Sequence, residues 1–267
     1  MNEPDLPYIL PRENLQETNR LDLQHVLLFS CLRGNIVAPV VNPARVLDVG
    51  CGTGRWCREV AETFPQAQVV GLDLSLPPDS QWPPNCTFVV SNILERELPF
   101  PESAFEYVHQ RLLIGAIPTD RWQEVIGELM RVTRPGGWIE LVESSGVLPQ
   151  SGPVTQQLSA WLVEAGKRRG VDATYAPNLP DHLRAAGLEQ VTFRSLQLPM
   201  SNQDDPIERL TLTAALGFFQ AMKALVVREL GVSAREYDTC LHLLPDEWAR
   251  YKTTSPFYLM YGQRPVE

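Results

Sequence analysis

At 267 residues, with 44% hydrophobic and 21% charged side chains, the chain has the composition of one large globular domain or of one domain with an insertion. A net charge of −9 and no basic run longer than Lys167-Arg168-Arg169 count against nucleic acid as a partner, because such binding depends on cations that neutralise phosphates. No apolar run approaches the roughly 20 residues of a membrane span, and the start Met1-Asn2-Glu3-Pro4-Asp5 has neither the basic nor the apolar part of a signal peptide. The five cysteines, Cys31, Cys51, Cys57, Cys86 and Cys240, form no C-x-x-C pair and no zinc spacing with histidine. A reduced, cytoplasmic protein without a membrane anchor or a metal is the expectation.

Residues 1–12 carry Pro4, Pro7 and Pro11 and read as extended, and 13–33 read as a helix. After Pro39 and Pro43, Val46-Leu47-Asp48-Val49 reads as a buried strand running into the turn Gly50-Cys51-Gly52-Thr53-Gly54. A helix from Arg55 to about Phe64 follows, with Trp56, Val60 and Phe64 at i, i+4 spacing. Two ligand readings compete for this turn. A dinucleotide site, G-x-G-x-x-G, requires a third glycine where Arg55 stands. Asp48, two residues before the first glycine, would repel a pyrophosphate and suit a cationic ligand. A strand–turn–helix that binds nothing is the plain alternative. Cys51 inside the turn reads as a small filler.

Gln68–Asp73 reads as the second strand, and Asp73 stands about twenty positions after Gly54, the offset at which an acid binds a ribose diol. Residues 87–90 and 105–109 read as strands three and four. Asp120 and Gln123 are placed to form a capping box for a helix whose core face is Trp122, Val125, Ile126, Leu129 and Met130. Arg134-Pro135-Gly136-Gly137 stops that helix before a fifth strand over 138–143. Helices over 154–170 and 179–187, strands over 190–198 and 257–263, and an inserted helical pair complete the chain. The first inserted helix starts at Asp205-Pro206 and stops at Gly231; the second starts at the box Ser233-x-x-Glu236 and should break or kink at Pro245. The predicted fold is α/β: a Rossmann-like, doubly wound, mostly parallel seven-stranded sheet with a helical cap inserted before the last strand. The predicted division is an N-terminal lid segment and helix over 1–39, a core over 40–202 and 254–267, and the cap over 203–253.

The strand–helix alternation, Asp48-x-Gly50-x-Gly52-x-Gly54, Asp73 and Arg134-Pro135-Gly136-Gly137 together resemble the class I S-adenosylmethionine-dependent methyltransferases over roughly residues 40–200. A narrower resemblance, to the LaeA-like (TAM-domain) methyltransferases of secondary metabolism, lies in Tyr8-x-Leu10-Pro11, in Glu17-x-x-Arg20-Leu21-Asp22-x-Gln24-His25 and in the ending Tyr261-Gly262-Gln263-Arg264-Pro265. The resemblance implies S-adenosylmethionine as cofactor. Asp48, Gly50, Cys51, Gly52 and Gly54 would hold its methionine half, and Asp73 its ribose. Leu74 and Ile93 would sandwich the adenine, whose amino group the Asn92 carbonyl could accept from. His109 and Gln110 would complete the cofactor shell, and the segment 110–117 would pass close to the methyl group.

Methyl transfer needs a base only where the acceptor must lose a proton. The candidates are His25, His109 and Glu143. The alternatives are a structural helix histidine for His25, packing in the cofactor shell for His109, and an ion pair with Arg111 for Glu143. Tyr8, Gln24, His25, Arg111, Phe218 and Met222 are the candidates for touching the acceptor. The place where metal-dependent relatives carry a metal-binding acid holds His109 and Gln110, so no metal is expected. The helix over 205–230 is apolar around more of its circumference than one core face requires. That excess fits tight packing of the cap, a homodimer contact, or the wall of an apolar pocket for a small hydrophobic or aromatic metabolite. A protein-directed or regulatory methyltransferase-like factor is the alternative to a small-molecule enzyme. A nicotinamide-dependent dehydrogenase is disfavoured by Arg55 and Asp48.

Overall fold

The computed structural model describes residues 15–77, 81–201 and 204–266. Helix α1 (Leu15–Leu32) precedes β1 (Arg45–Val49), α2 (Arg55–Thr63), β2 (Gln68–Asp73), β3 (Cys86–Val90) and β4 (Phe105–Arg111). Then come α3 (Trp122–Val132), β5 (Thr133–Ser144), α4 (Pro153–Lys167), α5 (Leu179–Ala185), β6 (Glu189–Pro199), α6 (Pro206–Leu230), α7 (Ala234–Tyr251) and β7 (Thr254–Gln263). The seven strands form one sheet in the order β3-β2-β1-β4-β5-β7-β6. Strands β1 to β5 pair in parallel, and β7 runs antiparallel to both β5 and β6. Four of the five β1 residues are buried because helices cover both faces, which is why the strand reads as a continuous apolar run. The order reverses between β1 and β4, the switch point outside which open α/β sheets bind ligands.

The predicted capping box before α3 does not form. Residues 119–121 make a 3-10 turn, the N-cap is Arg121 without a side-chain bond, and the Gln123 Oε1 accepts instead from His182 Nδ1 at 2.8 Å. The caps of the inserted helices do form. Asp205 accepts from the N–H groups of Ile207 and Glu208, Gly231 ends α6 with a left-handed φ of 72°, and Ser233 accepts from the Glu236 N–H. The predicted break at Pro245 is absent, since α7 runs through it to Tyr251. Packing of the next turn accounts for this: Glu247 accepts from the N–H groups of Val154 and Thr155, and Trp248 Nε1 donates to Thr155 Oγ1 at 2.9 Å.

By length and composition α6 is apolar enough to cross a membrane, so the sequence reading that no stretch approaches a span is corrected. The fold uses that apolar surface within the chain. One side of α6 meets α1 through Ile207, Leu210 and Ala214 against Leu27 and Leu28. Another shares a core with α4 and α7, in which Phe219, Met222 and Val226 pack with Leu158, Leu162, Tyr237 and Trp248.

Candidate cofactor and acceptor site

A cavity of about 540 Å³ lies over the C-terminal ends of β1 and β4, within the usual range for small-molecule sites. The turn 50–53 and residues of α1 line its middle. Sheet order puts Asp73, Leu74, Asn92 and Ile93 on the β2–β3 side, and Ser144, Leu162, Val171, Ala173, Phe218 and Met222 on the β5 side.

Asp73 is oriented by the backbone around it: its Oδ2 accepts from the Gly52 N–H at 2.8 Å and its Oδ1 from the Leu74 N–H at 2.7 Å. Each oxygen keeps lone-pair capacity toward the cavity, as a ribose diol requires. Gly52 holds a left-handed φ of 54°, which turns its N–H onto Asp73. Leu74 and Ile93 both line the cavity. Asn92 does too, although its Oδ1 already accepts from the Leu94 N–H at 2.9 Å, leaving one lone pair for an adenine amino group. Gly54 is not on the wall, contrary to its predicted role. A Cβ there would lie 2.7 Å from Trp82 and 3.0 Å from Phe88, so this glycine serves the packing of the turn. Gly71 in β2, which sequence reasoning passed over, does the same: its Cβ would meet Phe88 at 2.6 Å and the Cys51 sulfur at 2.9 Å.

Gly50, Cys51 and Asp48 reach the cavity. Asp48 is buried, with Oδ1 2.7 Å from His109 Nδ1 and Oδ2 accepting from the Cys57 thiol. His109 stacks flat on Trp56, with ring centroids 4.1 Å apart, and does not line the cavity. It supports Asp48 from behind. Gln110 is fully buried and also off the wall; its amide lies beside Glu143 but does not reach full hydrogen-bond geometry with it.

Glu143 neither faces the cavity nor pairs with Arg111. Its Oε1 accepts from the Leu113 N–H at 2.9 Å and its Oε2 from the Ile114 N–H at 3.0 Å. Leu112, at a left-handed φ of 59°, makes the turn that brings both N–H groups round to it. Burial pushes the Glu143 pKa up to about 8, against those two N–H bonds and the neighbouring Gln110 amide, which favour the charged form.

His25 lies behind the wall as well. Its Nδ1 is 3.1 Å from Arg111 Nη2 and its Nε2 is 2.8 Å from Glu59. A guanidinium can only donate, so Nδ1 is the acceptor and the Nε2–H donates to Glu59. Burial, then the Arg111 charge, lower the His25 pKa to about 4. The ring is neutral at physiological pH with both nitrogens engaged, which removes it as a base for the acceptor and makes it a positioning residue for Arg111.

Of the polar acceptor and base candidates, Arg111 and Gln24 do line the cavity; His25, His109 and Glu143 do not. Phe218 and Met222 line it as predicted, and Tyr8 lies outside the described residues. Glu17 and Arg20 form a buried bidentate pair on the wall, at 2.6 and 2.8 Å, with Arg20 also reaching Gln24. Their spacing of three along a helix permits the pair, but nothing in it tells a buried pair from a surface one. Thr53 Oγ1 donates to Asp22 Oδ1 at 2.8 Å, tying α1 to the glycine turn. Among the described residues no cluster of His, Cys, Asp and Glu could hold a metal ion.

The site fits S-adenosylmethionine: an anion, Asp48, lies at the strand end beneath the turn, a backbone-oriented acid faces the ribose position, and apolar side chains flank the adenine position. A family model described as a methyltransferase domain matches residues 46–137. The N-methyltransferase tcpN of Claviceps purpurea is 29% identical over 93% of this chain and 94% of its own length. The secondary metabolism regulator LAE1 of Cochliobolus heterostrophus is 28% identical over 86% of this chain and 78% of its own. Among solved structures, a Haemonchus contortus phosphoethanolamine N-methyltransferase 2, in complex with phosphomonomethylethanolamine and S-adenosylhomocysteine, shares the fold. Its TM-score is 0.53 at 17% identity, covering 92% of this chain and 60% of that one. A sheet with its switch point over this turn, and relatives of this kind along most of the sequence, lead to one assignment: the chain is a class I S-adenosylmethionine-dependent methyltransferase, similar to the LaeA-like group.

Proposed function

We propose that the acceptor is a small, hydrophobic or aromatic metabolite, methylated at an O, N or C atom in secondary metabolism. The observation that carries this is the β5 side of the cavity, walled by Leu162, Val171, Ala173, Phe218 and Met222. Such apolar walls with a few placed polar groups are usual for organic ligands. The Glu17–Arg20 pair on α1, in the middle of the same cavity, supplies a polar anchor beside that wall. The name of the tcpN relative favours nitrogen as the receiving atom.

S-adenosylmethionine supplies an already activated methyl group on a sulfonium. The chain's own task is then to hold the acceptor at about 3–3.5 Å from the reacting carbon and to keep water out. Helices α1, α4 and α6, which contribute to the cavity lining, would do the second, and the left-handed turn at Leu112, anchored by Glu143, would set the wall beside the reacting centre. With His25, His109 and Glu143 behind the wall, a nucleophile that already carries a usable lone pair suits the site best.

The test is turnover of labelled S-adenosylmethionine against a panel of apolar amines and phenols. Phe218→Ala and Met222→Ala should raise the acceptor KM several-fold and leave S-adenosylhomocysteine affinity unchanged. A second reading, a regulatory methyltransferase-like factor, is favoured by the relatives named as secondary metabolism regulators. No turnover on the panel, together with a stable protein partner in a pull-down, would decide for that reading.

A further inference from the structure

Arg111 stands out among the charged groups on the cavity wall. It is largely buried, and among the described residues no carboxylate pairs with it. The acids whose charge acts on it are engaged elsewhere: Asp48 with His109 and Cys57, Glu59 with His25, Asn35 and Arg55, and Glu140 with the N–H groups of Val37 and Ala38. Among the described residues, the side-chain partner of the guanidinium is the neutral His25, through Nη2. None of its nitrogens is among the buried, unpartnered atoms, so its remaining donors open onto the cavity that it lines. A buried cation without a counter-ion is costly, and a planar guanidinium is shaped for bidentate pairing with a carboxylate.

The position of Arg111 indicates which carboxylate. On β4, His109 pairs in register with Asp48 and Gln110 with Val49, so Arg111 follows at the level of the glycine turn. Asp48 and Arg111 thus offer one anion and one cation on neighbouring strand ends of the same wall. An α-amino acid end, with its ammonium and its carboxylate, is the complement of that arrangement. The apolar β5 side, where the acceptor is proposed to sit, has no comparable charge pattern apart from the closed Glu17–Arg20 pair.

We infer that Arg111 is the receptor for the α-carboxylate of the cofactor, held toward it by a Glu59–His25 relay. His25 fixes the guanidinium by accepting from Nη2, and Glu59 fixes the His25 tautomer by accepting from its Nε2–H. This assignment rests on the cofactor and stands whether the acceptor is a metabolite or a protein.

The experiment compares two ligands by calorimetry: S-adenosylhomocysteine, and its decarboxylated analogue 5′-deoxy-5′-(3-aminopropylthio)adenosine, which keeps the ammonium. The wild-type chain should prefer S-adenosylhomocysteine by about tenfold or more, the scale of one charge-assisted contact. Arg111→Met should erase most of that preference by weakening S-adenosylhomocysteine while changing the analogue less than about threefold. If Arg111→Met does not fold, Arg111→Lys takes its place, with loss of preference again the criterion. Equal affinities in the wild type overturn the inference. So does an unchanged preference in the variant, which would leave Arg111 for a carboxylate on the acceptor, or an equal loss of both ligands, which would make its role structural.

Discussion

Glu143 is the acid whose titration should be felt through the whole fold. Its two oxygens accept from Leu113 and Ile114, no cation among the described residues pairs with it, and burial raises its pKa from 4.5 to about 8. An acid with a raised folded pKa contributes stability that is fully present below the unfolded value and is lost as pH climbs through the folded one. The window for Glu143 therefore runs from about 4.5 to about 8. At about 1.4 kcal/mol per pH unit, the wild type should lose roughly 2–3 kcal/mol from this group between pH 5 and pH 7. Glu143→Gln cannot titrate. It places an amide N–H against one of the two backbone N–H groups, at a cost of about 1–3 kcal/mol that is the same at every pH. Urea denaturation of both proteins at pH 5, 6 and 7 reads the difference directly. The variant should be the less stable at pH 5 and should gain on the wild type by roughly 2–3 kcal/mol by pH 7. A gap that stays constant across this range would refute the reasoning. It would mean that the two N–H bonds outweigh burial and keep Glu143 ionised.

Three further outcomes follow from contacts already described. Asp73→Ala should weaken S-adenosylhomocysteine binding by about 1–3 kcal/mol in calorimetry, and unchanged affinity would remove Asp73 from the ribose. Gly54→Ala should lower stability by about 1–3 kcal/mol, since its Cβ would lie 2.7 Å from Trp82 at a φ of 72°; a wild-type denaturation midpoint would show that Trp82 yields at no cost. Glu247→Ala leaves the N–H groups of Val154 and Thr155 unpaired at the start of α4 and should cost about 1–3 kcal/mol in thermal or urea unfolding; an unchanged midpoint would assign those donors to water.

The parts of the site that were legible in the sequence are those set by local pattern. Strand β1 shows as an apolar run, the turn as alternating glycines, and Asp73 as an acid at a fixed offset, because each depends on neighbours a few residues away. The side chains beyond the strand ends were not legible in this way. Strand β4 continues to Arg111, two residues past its predicted end, so His109 and Arg111 share one face while Gln110 takes the other. The turn that captures Glu143 depends on a left-handed leucine, a conformation for which sequence signals point to glycine or asparagine. The Glu59–His25–Arg111 chain joins α1, α2 and β4, and the Glu247–Thr155 contact joins α7 to α4. Neither pairing has a local signature. The same holds at Pro245, where the helix continues instead of breaking and the contacts of the following turn come from α4.

Helix α1 explains how one cavity can serve two ligands. On its cofactor side, Asp22 accepts from Thr53 in the glycine turn, and Leu21 packs over Gly52, at 3.7 Å from where its Cβ would stand. On its cap side, the Arg20 stem passes 3.2 Å from the Cβ position of Gly217 on α6, a close approach that a larger side chain at 217 would crowd. The same turn of α1 presents the Glu17–Arg20 pair and Gln24 to the cavity. The helix therefore touches the turn beneath the cofactor position and the helix beside the proposed acceptor position, so a packed element rather than a loop connects the two. That arrangement suits a reaction in which the protein contributes positioning more than proton transfer, because two bound molecules must be aligned by a single wall.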